Sequence, residues 1–103
     1  MANRRDQHPF YFENGGTMNE ESASVVTRHL KNLAIQIDGE FAATVTVMVR
    51  LDPSLSFVPL SSVMSPDIVY PPNDASYSDV KLTITDYVSG QVVAKLVGRT
   101  SQE

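Results

Sequence analysis

Apolar and polar residues alternate with a period of two over Ile35–Val49 and again over Val80–Gly98. Successive side chains of a β-strand point to opposite faces, so this period marks strands with one face buried. In the first stretch Val45, Val47 and Val49 share one face, and Thr44, Thr46, Met48 and Arg50 share the other. In the second, Val80, Leu82 and Ile84 alternate with Lys81, Thr83 and Thr85. Gln91–Val97 then returns with Val92, Ala94 and Leu96 on one face. Turn signals punctuate these runs at Asp38-Gly39, at Asp52-Pro53-Ser54 and over Asp86–Gly90, where Gly supplies positive φ and Pro fixes it.

The spacing predicts an all-β domain, an antiparallel β-sandwich or jelly roll carrying an extended N-terminal arm. With turns between strands of the usual length, the chain holds about six to eight strands. Sequential hairpins are expected at Asp38-Gly39 and at Asp86–Gly90. The expected core is Ile35, Ile37, Phe41, Val45, Val47, Val49, Phe57, Leu82, Ile84, Val92, Ala94 and Leu96. Leu55–Leu60 reads as a short strand that Pro59 confines to an edge or ends, because proline cannot donate to a ladder. Ile68, Val69 and Tyr70 read as a brief strand among prolines. Residues 17–32 are ambiguous. Thr17 and Glu20 have capping-box spacing, whereas Ser24-Val25-Val26-Thr27 favours a strand from about Ser24 to Leu30.

The N-terminal stretch differs from the rest. Pro9 is followed by Phe10, Tyr11 and Phe12, and Asn14-Gly15-Gly16 closes the segment as a turn. The expected organisation is an arm over residues 1–16 and a sandwich over 17–103. An aromatic triplet is costly to leave in water, so it should cover a neighbouring subunit or the body of its own domain. Arg4, Arg5, Phe10, Tyr11 and Phe12 are the expected partner-binding residues, since aromatic and Arg anchors dominate many interfaces.

At 103 residues the chain has room for one domain with a modest core, so stabilisation by association is expected. There is no cysteine, hence no disulfide framework and no thiolate metal site. No signal-peptide h-region and no apolar run of membrane-spanning length is present in the sequence. The formal net charge of −4 lies entirely in residues 32–103. Nucleic-acid binding needs clustered Lys and Arg; neither nucleic acid nor membrane is an expected partner.

The same residues resemble small β-sandwich structural proteins of tailed bacteriophage particles. The matching text is Ile35-Gln36-Ile37-Asp38-Gly39-Glu40-Phe41, then Thr44–Val47, then Leu51-Asp52-Pro53, then Val80–Thr85 with Tyr87 and Ser89-Gly90-Gln91-Val92. Two positions depart from the pattern: Phe57 stands where an aromatic, often Trp, is expected, and Pro53 replaces the turn glycine. The resemblance implies a virion protein assembled in the host cytoplasm. A head decoration or cement subunit is the first expectation, with the major capsid protein and further copies of itself, as a homotrimer, for partners. Neck, tail or head-fibre components are the alternatives within that class, and a carbohydrate-binding adhesion module is the alternative outside it.

No residue set in the sequence has the spacing of a known catalytic or cofactor site. There is no G-x-S-x-G, no P-loop and no cysteine nucleophile. No enzymatic activity, cofactor or metal is therefore expected. His8 and His29 lack a nearby ligand partner in sequence and read as an arm residue and a half-exposed strand residue. Asp67, Asp74 and Asp79 read as solvated loop acids rather than a calcium site. Tyr70, Tyr77 and Tyr87 are the candidates for a stacking platform, though Tyr87 more naturally packs over its own turn.

Overall fold

The computed structural model describes residues 4–72 and 76–100. It contains eight strands and, among the described residues, no helix: β1 Arg4–Pro9, β2 Val25–Val26, β3 Lys31–Asp38, β4 Phe41–Arg50, β5 Val58–Val63, β6 Asp67–Val69, β7 Asp79–Gly90 and β8 Val93–Thr100. They form two four-stranded sheets, ordered β1-β8-β3-β6 and β2-β7-β4-β5, with every strand pair antiparallel. The all-β antiparallel sandwich expected from the alternation is the fold observed.

Each apolar face has become an inner face. In the first sheet Ile35 lies opposite Leu96 and Ile37 opposite Ala94. In the second Val45, Val47 and Val49 lie opposite Ile84, Leu82 and Val80. All ten are buried, and such cross-strand pairs are the units that stabilise a sheet. Two expected core residues are not fully buried. Phe41 packs half-buried against the cluster. Phe57 lies outside the core, with the Arg50 guanidinium 4.4 Å and the Lys81 ammonium 4.5 Å from its ring centroid.

The connectivity differs from the expected hairpins. β3 and β4 flank Gly39, yet they belong to different sheets, as do β7 and β8. Both links are arches that carry the chain across the sandwich. The long-range pairs β3–β8 and β4–β7 build the sheets instead. The two arches stack: the Gln91 N–H donates to the Glu40 carbonyl at 2.7 Å. Gly39 and Gly90 both have φ of 93°, and an added Cβ would lie 2.4 Å from the Gln91 carbonyl oxygen and 2.0 Å from that of Glu40. Asp86, read as the start of a turn, has a left-handed φ of 53° but sits inside β7. Between the pairs Ala42↔Ser89 and Thr44↔Thr85 the ladder slips, so the segment is a bulge that bends the strand without ending it.

The N-terminal segment is extended, as expected, but it lies along the body. β1 pairs with β8 from Arg4↔Thr100 to Pro9↔Lys95 and forms an edge strand of the first sheet. The Phe10 N–H then donates to the Ala94 carbonyl at 3.0 Å. Beyond it Phe12 bridges Ser22, while the Ser22 N–H donates to the Leu82 carbonyl of β7 and the Ile84 N–H of β7 donates to the Glu20 carbonyl, both at 2.8 Å. The segment thus crosses from one sheet to the other and closes that side of the sandwich.

Within residues 17–32 neither the helical turn nor the longer strand forms. β2 has two residues, and Thr27–Leu30 makes a turn closed by the Leu30 N–H on the Thr27 carbonyl at 2.9 Å. Glu20 does not cap a helix. Its carboxylate accepts from the backbone N–H groups of Asn14, at 2.9 Å, and Gly16, at 3.0 Å, and holds the loop before it.

Candidate functional site

The side of the sandwich opposite β1 and β2 is bounded by β5 and β6. Each is the terminal strand of its sheet, so among the described residues each has one backbone edge with no strand beside it. Met64, Ser65 and Pro66 join them across the gap between sheets. A groove of about 410 Å³ lies there, walled by Leu60 and Val63 from β5, Ile68 and Val69 from β6, and the following Tyr70 and Pro72. Ser61, Ser62 and Asp67 line it as well, so the groove is mixed in character, with exposed apolar side chains at its rim. Met64 is 74% exposed and Tyr70 69%, and Ile68 is exposed as well. Natural edges are commonly guarded by charge, proline or a bulge. β5 carries Pro59, as the sequence foretold for an edge, and the ladder slips between Val47 and Met48 opposite it. It carries no charged residue.

The expected partner-binding residues lie on the other side. Phe10 and Phe12 are each only 6% exposed and belong to the core. They are therefore not surface anchors: burying them in the body has already removed them from water. Tyr11, between them, points outward and is 66% exposed. The backbone of Arg4 and Arg5 pairs with Thr100 and Arg99. Their side chains, on which the expected contacts with acidic groups depend, lie outside those described.

The acidic and aromatic candidates are dispersed. Asp79 is buried and accepts from Arg50 Nε at 3.0 Å and from the Ser78 hydroxyl. Burial pushes its carboxyl pKa up, but the bonds from Ser78 and Arg50 outweigh that and hold it below the usual carboxylate range. It is thus part of a buried ion pair and not a solvated loop acid. Asp67 accepts from the N–H of Ile68 at 2.7 Å, and Asp74 lies outside the described residues. Tyr77 is buried, and Tyr87 donates to the Gly90 carbonyl at 2.8 Å over its own strand end. Tyr70 alone of the three stands open beside the groove, so they form no common platform.

One constellation escaped the sequence reading. Asp6 and His8, two residues apart on β1, and His29, from the Thr27–Leu30 turn, bring one ligand atom each within 4.8 Å of one another. His8 lies opposite Leu96 and Asp6 opposite Gly98, and both opposing residues are buried. The pair therefore faces inward at the sandwich margin. His8 Nε2 is buried without a hydrogen-bond partner. The i, i+2 spacing of Asp6 and His8 was visible in sequence. The contribution of His29 depends on a fold that lays β1 next to a distant turn.

No family model matches the sequence, and no curated protein matches it. Among solved structures the chain is similar to the SPBc2 prophage-derived protein YomS, with a TM-score of 0.74 at 12% sequence identity, over 97% of this chain and 96% of that one. At that identity the likeness establishes a shared fold, end to end.

Proposed function

We propose that the chain is a structural subunit of a phage particle and that it acts by association rather than by catalysis. The observation that carries the phage reading is the correspondence of fold with a prophage-derived protein over 97% of this chain and 96% of that one. The association surface in this reading is the β5–β6 margin. It offers two strand edges left open among the described residues and a groove of mixed character with exposed Met64, Ile68 and Tyr70 around it. Desolvating such side chains at the centre of a contact is where binding free energy concentrates, and the open edges add backbone bonds by strand addition.

Within this class we favour a capsid decoration or cement role. Its partners would be the major capsid protein and further copies of the chain arranged as a homotrimer. The attachment surface differs from the one expected of the sequence, because Phe10 and Phe12 are spent on the core. Quantitative mass spectrometry of purified particles tests the reading. A copy number proportional to the shell protein supports decoration. A low number tied to one vertex supports the neck or tail instead, and absence from the particle removes the virion reading altogether.

A further inference from the structure

We propose that Asp6, His8 and His29 form a binding site for a divalent first-row transition metal ion, with Zn²⁺ as its representative. The chemistry of the donors comes first. Two imidazoles and one carboxylate are a set that suits zinc, iron or nickel, and it leaves coordination positions open. Magnesium and calcium prefer oxygen ligands.

Geometry provides the second support. Ligand atoms around a tetrahedral Zn²⁺ with bonds of about 2.0–2.1 Å stand about 3.4 Å apart. The three groups already lie within 4.8 Å of one another, so side-chain rotations close the remaining gap. Asp6 and His8 are held by an antiparallel strand with an unbroken register from Arg4 to Pro9. His29 sits on an exposed turn that has freedom to adjust.

The third support is the state of His8. Its Nε2 is buried and lacks a partner, and a buried polar atom left without one costs about 1–3 kcal/mol. A metal ion bound through Nε2 would satisfy that atom. Lys31 and Arg99 are exposed in the register row next to Gly98, on alternating positions that face outward. Arg28, next to His29, acts electrostatically on Asp79.

Bound metal would clip the β1 edge to the Thr27–Leu30 turn and fasten the N-terminal segment to the body. The site is remote from the β5–β6 margin, so it stands or falls independently of the proposed association.

The test is Zn²⁺ titration of the full-length, metal-stripped protein against a chromophoric competitor, with Mg²⁺ as control and histidine ring resonances followed by NMR. The expected result is one Zn²⁺ per chain, with the His8 and His29 ring signals shifting together and no response to Mg²⁺. Asp6→Asn and His29→Ala should each weaken binding at least about tenfold, since even groups behind the ligands contribute that much at metal sites. His29 lies on an exposed turn, so His29→Ala should keep the metal-free Tm of the parent and remain interpretable even if a His8 variant fails to fold. Stoichiometric binding should also raise Tm in the parent, and this rise should vanish in His29→Ala. Absence of stoichiometric binding, movement of only one histidine, or unchanged affinity in His29→Ala would each overturn the assignment.

Discussion

Gly90 lies so close to Glu40 that a Cβ placed on it would meet the Glu40 carbonyl oxygen at 2.0 Å. One arch of the sandwich is thereby seated on the other, and the adjoining Gln91 N–H bonds to the same carbonyl. Gly90→Ala adds this collision to the cost of a left-handed backbone. The expected loss is about 3 kcal/mol or more, read as a lower urea midpoint at unchanged m-value. A loss within experimental error would mean that the arches do not stack as described.

Phe10 and Phe12 tie the N-terminal segment into the core. Truncating either to Ala should cost about 3–5 kcal/mol, whereas Tyr11→Ala should stay within about 0.5 kcal/mol. Thermal unfolding of the three variants decides the matter. If all three were equally harmless, the segment would be an appended arm after all.

Asp79 makes stability depend on acid. Its carboxyl is held below the usual range in the folded state, while in the unfolded chain it takes the ordinary value of about 3.9. The unfolded state therefore binds the proton first as pH falls. The contribution of Asp79 is fully present above that value and is lost as pH drops through its lower folded pKa. Asp79→Asn should flatten the acid limb of a stability–pH curve in that window. At neutral pH it should cost about 2 kcal/mol by breaking the bond with Arg50. An acid limb of unchanged slope would contradict this.

Much of the sandwich was legible in sequence because burial of one strand face imposes a period of two. Val45, Val47 and Val49 and their opposites Ile84, Leu82 and Val80 are all recoverable that way. Partner choice was not legible. A half-apolar strand pairs equally well with its neighbour in sequence or with a distant one, so Asp38-Gly39 reads as a hairpin while the chain there crosses between sheets. Asp86 misled for a related reason: positive φ marks a bulge as readily as a turn. Phe10-Tyr11-Phe12 carried its own answer in the inward, outward, inward alternation of extended backbone just past β1, which the stickiness of three adjacent aromatics obscured. The β5–β6 groove and the Asp6–His8–His29 triad depend on which strands end each sheet. That is a property of the assembled topology rather than of any local run of residues.

The central claim is that the β5–β6 margin is an association surface. Ile68→Lys places a charge on that margin at an exposed position, so it should leave the fold intact while opposing close approach. Sedimentation equilibrium of the full-length protein and of this variant tests the claim most directly. The expected result is a discrete oligomer, a trimer in the decoration reading, that dissociates to monomer in Ile68→Lys with its Tm extrapolated to low concentration preserved. A parent protein that stays monomeric at every concentration, or an oligomer indifferent to the substitution, would contradict it.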